Sequence, residues 1–342
     1  MMRLHAARDF LARTGWEAAD LAPIPGDASF RRYARLSLGR RRAVLMDAPP
    51  GHEDVRPFLA IARLLGRWGF SAPDCLAADI GAGFLLLEDL GDARYGRLLA
   101  DDPAREASLY REALALLVAL HMHRPPACLP IPGSRDVYGL PPYDESVLMR
   151  ELRLFPDWYL KARDGGRPDD AAALEALFAP LFACLDGGVP VLVLRDYHAD
   201  NLMWLPRRQG LKRVGLLDFQ DALIGHPAYD VVSLLQDARR DVPPALESAM
   251  ISWFLGHSRE RGRALDEEVF ARDYAILGAQ RAMKILGIFT RLDRRDGKSA
   301  YLAMLPRVNG LLARNLSHPV LLPLRDWLAQ RLGEDVEGEG RS

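Results

Sequence analysis

Lysine is scarce in this sequence of 342 residues. The chain has 45 basic residues, of which 41 are arginines and the remaining four are Lys161, Lys212, Lys284 and Lys298. The first 160 residues therefore contain no lysine. Any site in that segment that binds an anion through a side-chain cation must use arginine, whose guanidinium suits phosphate well.

Cysteine and long apolar runs are also in short supply. Cys75, Cys128 and Cys184 have no CxxC spacing, so the sequence signals neither a disulfide framework nor a zinc site, and a reducing compartment fits. No stretch approaches the roughly 20 apolar residues of a membrane span. Asp9 and several arginines interrupt the N-terminal segment, which argues against a secretory signal. We expect a cytoplasmic protein with no membrane partner.

Charge of one sign is not in excess. The 45 basic residues balance 46 acidic ones, for a formal net charge of -1, so a polyanion gains no long-range attraction from the whole molecule. We therefore expect no nucleic-acid partner, and no feature of the chain indicates an obligate protein partner. The 49% hydrophobic and 27% charged fractions are those of an ordinary globular protein.

The pattern of apolar residues changes along the chain. Residues 28–47 predict a hairpin with a turn at Gly39, residues 53–70 an amphipathic helix, and 75–80 and 84–88 two further strands. The first 90 residues are thus predicted to form a small sheet carrying one helix. From about residue 103 onward the sequence is mostly helical, with periodic segments at 105–123, 243–263, 266–292 and 298–316.

One polar loop carries the chemistry. Two short apolar strands, 191–194 and 213–219, flank Asp196 and Asn201, and Asp218 follows seventeen residues after Asn201. Protein kinases use an Asp as base, an Asn five residues later on Mg²⁺, and a second Asp for metal and phosphate. Mg²⁺ prefers oxygen ligands, which an amide and a carboxylate supply. Alternatively, these residues are only turn and capping residues.

The stretch RDYHADNL followed by GLLDFQDALIGHPAYD resembles the aminoglycoside-phosphotransferase and choline-kinase superfamily. Its pattern is H-G-D-x-x-x-x-N followed by I-D-[FW]-x-x-A-x-x-G-x-P-x-x-D, and Leu194 stands where the histidine is common. The resemblance implies an α+β, bilobal protein-kinase-like fold that uses ATP and Mg²⁺. Residues 1–90 would form a small β-rich ATP-binding lobe including the hinge, and 91–335 a larger, mainly helical lobe with the catalytic loop and substrate site. The matching positions are Asp196, Asn201, Asp218, Ala222, Gly225, Pro227 and Asp230.

By this resemblance Asp196 is the catalytic base, Asn201 and Asp218 are the metal ligands, and Asp230 braces the catalytic loop through backbone contacts. Met46 stands where the superfamily places a strand lysine. Either activity has been lost, or an arginine near residues 31–35 supplies the charge. The segment Gly26–Phe30 is a weak phosphate-binding loop and equally a plain turn. The residues implied in nucleotide binding are Ser29, Phe30, Arg31, Arg32, Val44, Glu88 and Leu90.

Further segments, among them GDASFRRYARL, RELRLFPDWYL and LGAQRAMKILGIFTRL, resemble the anomeric N-acetylmuramate/N-acetylglucosamine kinases of cell-wall recycling. That resemblance implies an amino-sugar substrate and a sugar 1-phosphate product. Other small hydroxyl acceptors, such as an aminoglycoside or an amino alcohol, and a non-catalytic nucleotide-binding pseudokinase remain as alternatives. The expected substrate contacts are Glu151, His198, Asp200, Gln220, Asp221, Arg281 and Lys284, with structural roles as the alternative for His198 and for the two cations.

Overall fold

The computed structural model describes residues 2–25, 29–185 and 188–333, so Gly26, Asp27 and Ala28 of the predicted phosphate-binding loop lie outside it. The chain divides into two compact units. The sheet unit comprises Met1–Leu116, Pro126–Pro141 and Ala199–Ala222, and the helical unit comprises Leu117–Pro125, Pro142–His198 and Leu223–Ser342. The lobe boundary placed at residue 90 stays a prediction beside this division.

The sheet unit is built on a five-stranded antiparallel sheet in the order β1-β2-β3-β5-β4. The predicted hairpin is confirmed: a two-residue loop joins β2 to β3, and Gly39 adopts the positive φ of 59° that tight hairpin turns require. The strands are β1 (Asp20–Ile24), β2 (Arg32–Leu38), β3 (Arg41–Asp47), β4 (Cys75–Asp79) and β5 (Phe84–Leu87).

Strand β1 was not predicted from the sequence. It contains Pro23, which cannot donate a ladder hydrogen bond, and proline argues against a strand when the neighbours are unknown. In the structure β1 is an edge strand, where a residue that has no N–H to donate is tolerated.

Two helices belong to the N-terminal part, not one. Helix α1 (Leu4–Arg13) packs Phe10 and Leu11 against Leu36, Leu45 and Phe84 of the sheet. Helix α2 (Arg56–Arg67) confirms the helix predicted from the apolar stripe. All four residues of β5 are buried, as expected of a central strand covered on both faces.

Short elements complete the sheet unit. Helix α3 (Tyr95–Asp101) leads into α4 (Glu106–Leu120), which continues into the helical unit. Two small antiparallel pairs follow, β6 with β7 and β9 with β10. Their bounds are β6 (Cys128–Pro130), β7 (Val137–Gly139), β9 (Leu202–Trp204) and β10 (Val214–Leu216).

The helical unit is organised around its longest helix, α10 (Glu267–Asp296), which contains many of the buried residues of this unit. Among the described residues, no helix is both long enough and apolar enough to cross a membrane. The mixed α and β architecture with a larger helical C-terminal part confirms the predicted fold class. The other elements are α5 (Glu145–Leu152), a π-helical turn (Phe155–Leu160), α6 (Lys161–Asp164), α7 (Asp170–Ala183), β8 (Val191–Val193), β11 (Leu223–Gly225), α8 (Ala228–Leu235), α9 (Pro244–Glu260), α11 (Leu305–Leu316) and α12 (Leu322–Leu332).

Helix α10 approaches the chain before the π-helical turn very closely at Gly287. A Cβ atom at Gly287 would lie 2.3 Å from the backbone carbon and oxygen of Leu154, a separation that only movement of the backbone can relieve. We expect Gly287→Ala to lower the free energy of unfolding by about 3 kcal/mol, measured by urea denaturation. Gly256→Ala is the matched control, since Gly256 lies in α9 with open space around it and alanine there should add up to about 1 kcal/mol. Equal stability of Gly287→Ala and the wild type would contradict the close approach.

Candidate active site

The segment that carries Asp196 leaves strand β8 through a left-handed residue. Arg195 has a φ of 69°, and it and Asp218 are the two residues other than glycine with positive φ in the part of the chain that the structure describes. A long side chain at positive φ costs of order 1 kcal/mol or more and persists where the surroundings hold it. Both strained residues belong to the predicted catalytic pattern, which supports a functional reason for the strain.

Helix α8 holds the Arg195 backbone from both sides. The N–H groups of Leu194 and Arg195 donate to the two carboxylate oxygens of Asp230 at 2.6 and 2.9 Å, and the Ser233 hydroxyl donates to the Arg195 carbonyl at 3.0 Å. The bracing role expected of Asp230 is therefore confirmed as a contact. Buried backbone groups satisfied in this way fix the direction in which the chain enters the catalytic segment.

Burial raises the pKa of Asp230 to about 7, although the two backbone N–H groups favour its ionised form. Between about pH 4 and 7, Asp230 is protonated in the folded state and ionised in the unfolded state. The stability that Asp230 contributes is therefore present below this range and falls as the pH rises through it. We expect Asp230→Asn to gain stability relative to wild type by up to about 4 kcal/mol from pH 4 to pH 7.5. Urea unfolding of both proteins across this range tests it, and a difference that does not change with pH would contradict it.

Asp196 itself is kept ionised by its surroundings. Burial by itself raises its pKa, but the positive charges of Lys284, Arg195 and Arg281 outweigh that effect and hold the pKa below its ordinary value. Its N–H donates to the Leu194 carbonyl at 2.9 Å, and its own carbonyl accepts the N–H of His198 at 3.2 Å. A carboxylate that is ionised at neutral pH and held in a fixed turn has the properties required of a general base.

Glu151 organises the cations next to this turn. Its buried carboxylate accepts hydrogen bonds from the Arg195 guanidinium and the Tyr143 hydroxyl, and it lies 2.8 Å from the Lys284 Nζ and 3.4 Å from the Gln280 amide nitrogen. Burial alone would raise the pKa of Glu151, and the charges of Lys284 and Arg195 lower it instead. Glu151 and Lys284, both predicted as substrate contacts, are therefore brought together as an ion pair.

Two more predicted substrate residues belong to the same unit. The Arg281 guanidinium donates to the Ser233 hydroxyl at 2.8 Å and so supports the bond that Ser233 makes to the Arg195 carbonyl. The Nε2 atom of His198 accepts from Arg239 at 3.2 Å. Burial lowers the pKa of His198, so its ring is neutral at neutral pH. Both contacts are structural, and the substrate roles of these residues stay predictions.

In the sheet unit, strands β9 and β10 bring the two predicted metal ligands to one end of a small hairpin. Asn201 ends a short helical turn directly before β9, and its carbonyl accepts the N–H of Leu217, the residue before Asp218, at 2.9 Å. Gly215 permits this close pairing, because a Cβ atom there would lie 2.9 Å from the Met203 Cβ. The seventeen-residue spacing between Asn201 and Asp218 thus corresponds to a pair of antiparallel strands.

Asp218 is surrounded by polar side chains. The Gln220 amide donates to Asp218 at 3.0 Å and to Asp221 at 2.9 Å, and the Arg31 guanidinium lies 3.2 Å from the Asp218 carboxylate. Gln220 and Asp221, predicted as substrate contacts, accordingly lie beside the predicted metal ligand. Within the described residues there is no cluster of three or more His, Cys, Asp or Glu side chains that could hold a metal. One carboxylate and one amide oxygen fit a magnesium ion that takes its remaining ligands from phosphate and water.

The loop before β2 presents the predicted nucleotide-binding residues. The Ser29 hydroxyl accepts the backbone N–H of Arg31 at 3.0 Å, and the Phe30 N–H donates to Glu53 at 3.2 Å. The Phe30 ring is exposed and stacks on His52 with the centroids 4.7 Å apart. Arg32 donates to the carbonyls of Ser29 and Arg31. The loop is therefore organised around the Glu53 carboxylate, a residue that sequence reasoning treated only as part of an acidic helix start.

The predicted hinge residues follow β5. The Glu88 carboxylate accepts from Arg208, and its backbone N–H donates to the Asp74 carbonyl at 2.8 Å. Glu88 is thus held through both its side chain and its backbone N–H. Val44, on β3, pairs with Leu87, and Leu90 packs beside Gly215. The backbone N–H of Glu88 is already engaged, and the nucleotide-binding roles of Glu88, Val44 and Leu90 stay predictions.

Asp200 lies against helix α3. A Cβ atom at Gly96 would meet the Asp200 carboxylate at 2.0 Å, so the absence of a side chain at Gly96 makes room for Asp200. A substrate role for Asp200 stays a prediction beside this packing contact.

Sequence reasoning missed several residues that the structure places around Asp196. A signal existed for Arg195, because the family pattern has glycine at that position and the left-handed φ explains why. Tyr143, Ser233 and Gln280 lie on distant segments and carried no local signal. They were identifiable only after the helices had packed.

Comparison with known proteins shows what the chain is similar to. The model of the phosphotransferase enzyme family, APH, matches residues 20–265. An N-acetylmuramate/N-acetylglucosamine kinase of Caulobacter vibrioides is 39% identical, with 93% of each chain covered. Three more bacterial proteins of the same name are 33–39% identical over 92% of this chain.

Solved structures agree on the fold. Choline kinase LicA from Streptococcus pneumoniae superposes with a TM-score of 0.59 at 15% identity, covering 91% of this chain and 99% of that chain. LicA in complex with AMP superposes with a TM-score of 0.56 at 14% identity, covering 91% and 98%. At these identities the likeness supports the protein-kinase-like fold and leaves the acceptor to other arguments.

Proposed function

Because the chain belongs to the APH phosphotransferase enzyme family, we propose that it is an ATP-dependent sugar kinase that phosphorylates the anomeric hydroxyl of N-acetylmuramate, N-acetylglucosamine or both. The product is the sugar 1-phosphate, formed in the recycling of peptidoglycan. The relatives of that name, which align over nearly the whole chain, support this choice of acceptor. The reaction belongs in the cytoplasm, where ATP is available.

The observation that carries the proposal is the conformation of the catalytic pattern. Arg195 and Asp218, which are 23 positions apart, both adopt positive φ. Arg195 directly precedes the predicted base Asp196, and Asp218 is itself a predicted metal ligand. Such strain persists where function requires a particular side-chain direction. The direction matters here because Asp196 has to face the acceptor hydroxyl and Asp218 has to face the metal.

Each residue then has a role. Asp196 orients the anomeric hydroxyl and accepts its proton, and its lowered pKa keeps it ionised for that step. Asn201 and Asp218 would hold Mg²⁺. The ion would neutralise negative charge on the phosphates of ATP, and ATP supplies the phosphoryl group that is transferred. Glu151 and Lys284 would contact the acceptor sugar and orient it toward Asp196.

The charges around Asp196 favour an anionic acceptor. Three cations, Arg195, Arg281 and Lys284, lie near the carboxylates Asp196 and Glu151, and Asp230 beside them is only partly ionised at neutral pH because its pKa is about 7. These side chains therefore carry no excess of negative charge to attract a polycationic aminoglycoside, and the lactyl carboxylate of N-acetylmuramate has cations to pair with.

An acceptor screen tests the proposal. Purified protein is incubated with Mg²⁺ and ATP and with N-acetylmuramate, N-acetylglucosamine, an aminoglycoside or choline, and the product is identified by phosphorus NMR. We expect phosphate on C1 of the amino sugars, with N-acetylmuramate preferred. Phosphate on another acceptor would leave the family correct and the substrate wrong. ATP binding without any phosphorylated product would favour a pseudokinase.

A further inference from the structure

The sheet unit lacks the strand lysine that contacts phosphates in related kinases, and the structure shows that Met46 cannot replace it. Met46 is buried in β3, paired with Tyr33 of β2 on one side and with Leu85 of β5 on the other. Its thioether carries no charge. A nucleotide bound at this sheet therefore needs another cation.

Arg31 has the geometry for that role. Its Nη2 atom lies 3.2 Å from the Asp218 carboxylate, and its Nε atom lies 3.7 Å from Glu53 and 3.3 Å from the Ser29 hydroxyl. The Nη1 atom is buried, and within the described ranges of the chain it has no hydrogen-bond partner. An arginine N–H group that is buried and unused is costly, and an anionic oxygen is the acceptor that best satisfies it.

Register places Arg31 where the missing lysine would act. Tyr33 is directly opposite Met46, so the two side chains share one face of the sheet, and the Arg31 guanidinium, which comes just before β2, lies close enough to the Tyr33 side chain to interact with it electrostatically. The guanidinium therefore lies on the face to which Met46 points, next to a predicted metal ligand.

The two neighbouring arginines are already engaged elsewhere. Arg32 uses its Nη1 atom for the carbonyls of Ser29 and Arg31. Arg35 forms ion pairs with Asp89 and Asp92 after strand β5, at 2.7 and 2.8 Å. The Arg35 Nε atom is also buried without a well-aligned hydrogen bond, but it lies 2.7 Å from the Asp89 carboxylate and is thereby neutralised. Among these three arginines of the described chain, Arg31 is the one that lies beside Asp218 and has a buried N–H group with no acceptor nearby.

We propose that Arg31, oriented by Glu53, is the cation that binds the phosphate oxygens of the adenine nucleotide in place of the missing strand lysine. This rests on the proposed function, because it requires an adenine nucleotide in the sheet unit. Glu53 fixes the loop through both the Phe30 N–H and the Arg31 side chain. It is thus a positioning residue for Arg31.

Calorimetric titration with ADP and with adenosine, in the absence of any acceptor, tests the proposal. Arg31→Met should weaken ADP binding about 10- to 100-fold, because a charge-assisted contact to phosphate is lost, and should leave adenosine binding within about 2-fold. Arg31→Lys should retain part of the affinity, and Glu53→Gln should weaken ADP binding about 3- to 10-fold. Arg42→Met is the matched control, since Arg42 is exposed on β3 and bonds only to nearby carbonyls among the described contacts.

Thermal melting of each variant separates loss of the contact from loss of the fold. ADP affinity unchanged in Arg31→Met would overturn the proposal. Equal weakening of ADP and adenosine in a folded variant would also overturn it, because Arg31 would then only shape the loop. So would a loss in Arg32→Met that matches or exceeds the loss in Arg31→Met. If the wild type binds neither ADP nor ATP, the proposed kinase function itself fails, which is a different result.

Discussion

Asp196→Asn is expected to lower kcat about 1,000-fold while leaving ATP affinity unchanged, because the substitution removes the proton acceptor and keeps the shape of the side chain. The structure supports this expectation through the cations that hold the pKa of Asp196 below its ordinary value. The turn around it, fixed by Asp230 and Ser233 through Arg195, should be unaffected by an isosteric change. The measurement is a coupled assay of ADP release with N-acetylmuramate, together with calorimetric ATP binding.

Asp241→Asn makes the same chemical change at an exposed surface ion pair with Arg307 and serves as the control. It should behave as wild type. If Asp196→Asn retained more than about a tenth of the wild-type kcat, the loss would be smaller than the usual contribution of a general base. The role of Asp196 as the base would then have to be abandoned.

Asp218→Asn is expected to lower kcat about 100-fold or more, the equivalent of roughly 3 kcal/mol, and to raise the Mg²⁺ concentration needed for half-maximal rate. Asparagine tolerates the left-handed conformation better than most residues, so the φ of 54° at this position should persist. The substitution therefore removes the charge that would hold the metal and leaves the backbone in place.

The Mg²⁺ dependence is the decisive readout for Asp218. Titration of Mg²⁺ at fixed ATP should show a shifted midpoint for Asp218→Asn and the wild-type midpoint for Asp196→Asn and Asp241→Asn. A lowered kcat with an unchanged Mg²⁺ midpoint would remove Asp218 from the metal site and leave it as a partner of Arg31 and Gln220.

The two buried carboxylates next to each other in the helical unit have opposite electrostatic tasks. Asp196 is close to three cations and is kept ionised, while Asp230 accepts backbone N–H groups in a buried position where its pKa rises to about 7. The first provides reactivity and the second provides geometry. Asp196→Asn should lower kcat, whereas Asp230→Asn should change how the free energy of unfolding depends on pH. Measuring both quantities for both variants would separate the two roles.

Local patterns were sufficient for many elements of the fold. The apolar stripe of α2, the Gly39 turn and the periodic helices of the C-terminal part were predicted because each depends on residues that are close in sequence. Edge strand β1 was missed because its stability comes from pairing with β2, and Pro23 argues against a strand until its edge position is known.

The same distinction applies to the site. The order and spacing of Asp196, Asn201 and Asp218 are properties of one continuous segment, and the family pattern that includes Asp230 is local as well. The Glu151 network joins α5, the catalytic turn and α10, which are more than a hundred positions apart at their extremes. No local rule connects such segments, because their contact arises from helix packing.

The sequence by itself determined the kind of chemistry, the two-part architecture and the absence of a lysine for the nucleotide's phosphates, since composition and spacing do not depend on folding. Tertiary structure decided which arginine is left to serve those phosphates. The sequence alone does not distinguish Arg31, Arg32 and Arg35. They differ in the carbonyls and carboxylates that lie beside each guanidinium in the folded chain. A guanidinium's availability depends on its neighbours in space, and those neighbours exist only in the folded protein.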